Sequence, residues 1–129
     1  MDEDNLLALV VRNEFSEPGI HFFTDSDATQ QLGYMRRSAG HEVKAHRHNV
    51  VRRVIETTQE VLFIKRGRCQ LNLYGSDNER VHSVELSSGD VVLLAAGGHG
   101  LVMLEESEIL EVKQGPYGGE ADKSWFTEK

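Results

Sequence analysis

Nowhere in this 129-residue chain do apolar side chains recur at the 3.6-residue period of an amphipathic helix; they come in short runs or alternate with polar residues. Alternation suits strands, whose successive side chains point to opposite faces. The pattern predicts strands over residues 20–23, 31–37, 42–48, 51–57, 61–65, 69–74, 81–86, 91–94, 101–104 and 109–113. Turn residues punctuate most of the gaps: Ser38-Ala-Gly40, Arg66-Gly67, Gly75-Ser-Asp-Asn78, Ser88-Gly-Asp90 and Gly97-Gly98-His99-Gly100. A short helix fits only at residues 5–10 or after Gly118. Many short, regularly spaced strands imply an all-β sandwich or barrel.

The length is about one domain's worth, and no repeat, low-complexity tract or long linker divides it, so a single domain over residues 1–129 is expected. The acidic start Met1-Asp-Glu-Asp-Asn5 lacks a secretory signal's positive charge, and the apolar run 6–11 is too short to span a bilayer. A soluble cytoplasmic protein with no membrane partner is expected. The single Cys69 has no partner for an internal disulfide and none of the neighbouring thiols of a structural zinc site. With 14 Lys and Arg against 21 Asp and Glu, the formal charge is −7, which argues against a nucleic-acid partner and leaves small molecules. Between residues 36 and 53 the balance reverses: Arg36, Arg37, Lys44, Arg47, Arg52 and Arg53 face one acid, Glu42. Such a stretch is either a solvated set of strand faces or a pocket for an anionic substrate.

The chemistry begins with His46-Arg47-His48, because residues two apart on a strand share a face about 6–7 Å apart, close enough for two imidazoles to converge on one ion. Alone, a His-x-His pair is as compatible with a plain polar strand face. Glu60 adds a carboxylate at the start of the apolar run 61–64, and His99 adds an imidazole after the apolar run 91–94. Singly, Glu60 reads as a solvated strand-end acid and His99 as a loop residue bonded to backbone.

Together these residues fall in an order that resembles the cupin superfamily. Its first motif runs Gly, five residues, His-x-His, a short gap, Glu, six residues, Gly; here Gly40 precedes His46 at that interval and Gly67 follows Glu60. Its second motif is matched loosely by Gly89-Asp-Val-Val-Leu-Leu-Ala-Ala-Gly97-Gly-His99, and the likeness spans about residues 31–114. The chain departs from the pattern in two places. Eleven residues separate His48 from Glu60, where the family has three or four, and they offer Glu56 as a rival ligand. Ala95 stands where the family has proline, with one residue fewer before the histidine.

The resemblance implies a jelly-roll β-barrel holding one divalent metal ion (Fe, Mn, Ni or Zn) through His46, His48, Glu60 and His99. Gln59, Gln31 and Tyr34 are candidates for orienting the histidines. Arg36, Arg47, Lys113 and Gln114 are candidate substrate-binding residues, Lys113 and Gln114 because they end the last predicted strand beside a Gly-Pro turn. His21, His41 and His82 fall on no motif position. The aromatics Phe22, Phe23, Tyr34, Phe63 and Tyr74 read as core, whereas Trp125 and Phe126 lie in a charged tail and either dock on their own fold or cover a partner subunit, so a homodimer is expected.

Three functions follow. The first is a metalloenzyme, an isomerase, epimerase or dioxygenase, acting on a polar, anionic sugar or keto acid. The second is a metal-independent sugar-nucleotide ketoisomerase in which Arg36, Arg47 and Arg52 bind phosphates. The third is a binding or sensor module without catalysis.

Overall fold

The computed structural model describes residues 6–129, and among them it is all-β with no α-helix. Nine strands run in chain order: β1 (Ala8–Val11), β2 (Gly19–Phe22), β3 (Gly33–Arg36), β4 (Glu60–Arg66), β5 (Arg68–Tyr74), β6 (Arg80–Ser87), β7 (Val91–Leu94), β8 (Gly98–Met103) and β9 (Glu108–Lys113). A 3-10 turn over Gly119–Asp122 follows β9. The backbone divides into two compact units, one of residues up to 14 plus 58–129 and one of residues 15–57.

In the larger unit, β1-β7-β4-β9 form one antiparallel sheet and β6-β5-β8 another. Alternation decides which side chains they turn inward. Leu62 and Ile64 of β4 and Val92 and Leu94 of β7 join Cys69, Leu71 and Leu73 of β5 and Leu86 of β6 in one buried cluster. Ile64, Cys69, Leu71, Leu86 and Val92 are wholly buried, and each aliphatic side chain among them removes apolar surface from water at about 1.5–3 kcal/mol. The corner between β4 and β5 needs Gly67, which has φ of 95° and whose absent Cβ would run into the Glu106 carbonyl oxygen.

The smaller unit is the β2–β3 hairpin with its flanks. Residues alternate across its register, His21 opposite Tyr34. Phe15 makes edge contacts with His21, Phe23 and Tyr34 at centroid distances of 5.9, 5.2 and 4.8 Å. The connecting loop is stitched by Gln31, whose Nε2 donates to the Asp25 and Ala28 carbonyls.

Eight of the ten predicted strands have their counterpart within a few residues, and β4 to β9 are nearly all as expected. The predicted strands over 42–48 and 51–57 do not form; residues 37–57 carry no strand. Strand propensity is largely packing against neighbours, and Val43, Val50, Val51, Val54 and Ile55 are all exposed. The predicted helix over 5–10 is corrected too: Ala8–Val11 is a strand, paired with β7 so that Val10 lies opposite Val92, while residue 5 lies outside the described residues. The Gly97–Gly100 cluster, expected as a loop, supplies the start of β8, because Gly98, His99 and Gly100 pair with Tyr74, Leu73 and Asn72.

Candidate functional site

Register brings the site residues of the larger unit together. Glu60 lies opposite Leu94 on one side and Lys113 on the other, in step with the inward-facing Leu62 and Ile64. Glu111, opposite Leu62, shares that face with Lys113. In the second sheet His99 lies opposite Leu73, in step with Leu101 opposite Leu71, so it too is on the core side. One end of the apolar cluster thus closes in polar groups from both sheets, and His99 Nε2 stands 3.2 Å from Glu60 Oε1. Lys113 Nζ is 4.0 Å from Glu111 Oε2.

Enclosure shapes the chemistry of this pair. Burial, a carboxyl hydrogen bond with Glu111 and the charge of Glu111 push the Glu60 carboxyl up to about 7, while the ammonium groups of Lys113 and Lys123 pull it down. Burial also holds the His99 imidazole below its ordinary value, with Glu111 opposing and Lys123 assisting. Gln59, immediately before β4, is fixed from both sides: its backbone N–H donates to Gln114 Oε1 at 2.8 Å, and its Nε2 donates to the Ala95 carbonyl at 3.2 Å. Gln114 is therefore engaged with backbone.

The other predicted ligands, His46 and His48, belong to the smaller unit, in its strandless segment, and both are exposed. Their rings nevertheless stand 5.5 Å apart, centroid to centroid. His46 Nδ1 donates to the Lys44 carbonyl at 2.8 Å, which leaves Nε2 as the ring nitrogen turned to other partners, an arrangement common in metal-binding histidines. Glu56 is exposed in the same segment, as are Arg47 and Arg52; Arg36 ends β3 and donates to Ser16 Oγ at 2.8 Å. Gln31 and Tyr34 serve the hairpin loop and the aromatic cluster, and His21 Nε2 lies 3.0 Å from the Pro18 carbonyl. His41 is exposed, as is His82 in β6.

The Glu60–His99 pair fits part of a coordination sphere. Donors about 2.0–2.2 Å from an ion lie roughly 3 Å apart in neighbouring positions, the Glu60–His99 spacing. Among the described residues, no three His, Cys, Asp or Glu side chains gather closely enough to hold a metal ion.

Two features of the site escaped the sequence. Glu111 is one, although its place two residues before Lys113, on the same strand face, is the signal that could have found it. The tail residues Lys123, Ser124, Trp125 and Phe126, which with Glu60, Gly97, Gly98 and His99 line a cavity of about 350 Å3, carry no periodic signal that assigns them to it.

The fold and site define an all-β protein with a carboxyl–imidazole centre at one end of a two-sheet core. Beyond that class, no family model matches the chain, and neither a curated protein nor a solved structure matches it.

Proposed function

We propose that this chain is a small metalloprotein of cupin type, a jelly-roll barrel that binds one divalent ion and acts on a small, polar, anionic metabolite. The observation that carries the reading is the Glu60–His99 pair, two donors from different sheets held 3.2 Å apart inside a cavity. His46 and His48 are its other ligands on the strength of the sequence motif alone. A bound ion would polarise a substrate carbonyl or hydroxyl, as an isomerase or a dioxygenase requires. The residues around it have their own tasks: Glu111 sets the charge felt by both Glu60 and His99, and Lys113 offers an ammonium to a substrate carboxylate or phosphate.

The test is metal content per chain, by elemental mass spectrometry on protein purified without an affinity tag. Stoichiometric Fe, Mn, Ni or Zn is expected, lost in His99→Ala and His46→Ala. Stoichiometric metal retained in His46→Ala would return that ligand to the ranks of surface histidines. Absence of metal after reconstitution would sink the reading.

A second reading, metal-independent isomerisation, has one observation in its favour. Glu60 and His99 are a carboxyl and an imidazole 3.2 Å apart in a partly dry setting, with Glu111 alongside, which is the make-up of an acid–base pair. Metal-free protein that isomerises a sugar nucleotide, with loss of activity in Glu60→Gln, would establish it.

A further inference from the structure

The cavity beside Glu60 and His99 has a wall made by the end of the chain. Its anchor is Phe126, whose ring lies over Gly98; a Cβ at that position would stand 2.7 Å from Phe126 Cζ, so the missing side chain is what admits the ring. Tyr74 completes the seat, 5.2 Å from Phe126 at an interplanar angle of 70°. Two residues further on, the Glu128 carboxylate accepts hydrogen bonds from the Tyr74 hydroxyl at 2.8 Å and from Arg80 Nε and Nη2 at 3.1 and 2.8 Å. The Lys129 N–H donates to the Asn78 carbonyl at 3.1 Å.

Between this latch and the 3-10 turn stands Trp125, the only tryptophan in the chain. It lines the cavity yet is 88% exposed, an arrangement that leaves a large apolar ring in water. Lys123 Nζ sits 5.3 Å from its ring centroid, and the Ser124 hydroxyl belongs to the same wall. An open indole next to an ammonium, lining the same cavity of about 350 Å3 as a carboxyl and an imidazole, matches a ligand with one apolar face, one negative end and several hydroxyls. The protein's net charge is −7, so an anion needs local cations, and Lys113 and Lys123 both bear on Glu60.

We propose that this cavity binds a sugar acid, with its carboxylate at Lys123, its hydroxyls toward Glu60 and His99, and a C–H face on the Trp125 indole. The proposal rests on the reading of the Glu60–His99 pair as the functional centre, and it makes the tail the wall that sets specificity. Trp125 and Lys123 are ligand-binding residues in this arrangement. Phe126, Glu128 and Arg80 are positioning residues that hold them.

The test uses the intact chain, with D-glucuronate, D-glucose and pyruvate as probes. Binding is read by calorimetry and by the fluorescence of the single tryptophan. Glucuronate should change the emission saturably and bind at least tenfold more tightly than glucose or pyruvate. Trp125→Ala should weaken calorimetric affinity tenfold or more, Trp125→Phe should restore most of it, and Lys123→Ala should erase the preference for the acid over the neutral sugar. Metal content, measured on the same samples, should be unchanged in all three variants. Wild-type protein that ignores glucuronate, or binds glucose equally well, would overturn the proposal, as would Trp125→Ala protein that binds as the wild type does. Loss of metal in His99→Ala tests the centre independently, so failure of the sugar-acid assignment is distinguishable from failure of the metal reading.

Discussion

Asp90 shows how much a single residue can tie together. It is 3% exposed, and its carboxylate accepts the backbone N–H groups of Asn13 and Ser87 and the guanidinium of Arg12, at 2.9, 2.8 and 2.9 Å. Burial alone would push this carboxyl up, but the Ser87 and Asn13 amides and Arg12 outweigh it and hold it below the usual carboxylate range. Because the folded state binds this proton more weakly than the unfolded chain, the carboxylate stabilises the fold above the unfolded value, near pH 4, and that contribution fades as pH falls toward the lower folded value. We expect Asp90→Asn to lower stability at neutral pH by about 2–3 kcal/mol, with the half-exposed Arg12 adding little. Urea midpoints from pH 2 to 7 would check it: the wild-type curve should fall more steeply than the variant's below about pH 4, and parallel curves would refute the assignment. The sequence marked Asp90 only as a turn residue. Its burial depends on Arg12 and Asn13, more than seventy positions away, which no local pattern reports.

At the scale of elements, the hairpin of β4 and β5 carries much of the core, since Leu62, Ile64, Cys69, Leu71 and Leu73 come from it. Leu71 is fully buried, and Leu71→Ala should cost about 2–5 kcal/mol through lost burial and the cavity left behind. Gly67→Ala should cost about 1–3 kcal/mol for the left-handed backbone, and more for its collision with Glu106 and Ser107. Both are read as shifts in urea midpoint; a Gly67→Ala midpoint equal to wild type would mean the corner adjusts freely. These strands were legible because turn residues bracket clean runs, and β7 matches its predicted bounds. β1 was not, since Leu6-Leu7-Ala8-Leu9-Val10-Val11 has no alternation and becomes a strand only through its ladder with β7. The converse holds for 42–57, where Val, Ile and Thr suggested strands that no neighbouring ladder supports.

For the molecule as a whole, these differences predict where the chain yields first. Residues 37–57 hold Arg37, Lys44, Arg47, Arg52 and Arg53 without strand pairing, while Arg68 in β5 is bridged to Glu85 and Glu105. Brief trypsin treatment should cut within 37–57 well before it cuts within β4 to β9, as mass spectrometry of the fragments would show. First cuts inside the sheets would contradict the assignment of strands.

What the sequence by itself determined was the all-β class and most of the strands from residue 60 to 113. These follow from turn chemistry and a two-residue period, both of which are local. Only the tertiary structure decided that Glu60 and His99 meet, that Glu111 joins them, and that Trp125 and Phe126 close the cavity. Those facts arise from two sheets presenting their inner faces to one core and from a tail seated on Gly98 and Tyr74. The shift of Glu60 belongs with them, because burial and a neighbouring carboxyl are properties of the assembled site and of no segment alone.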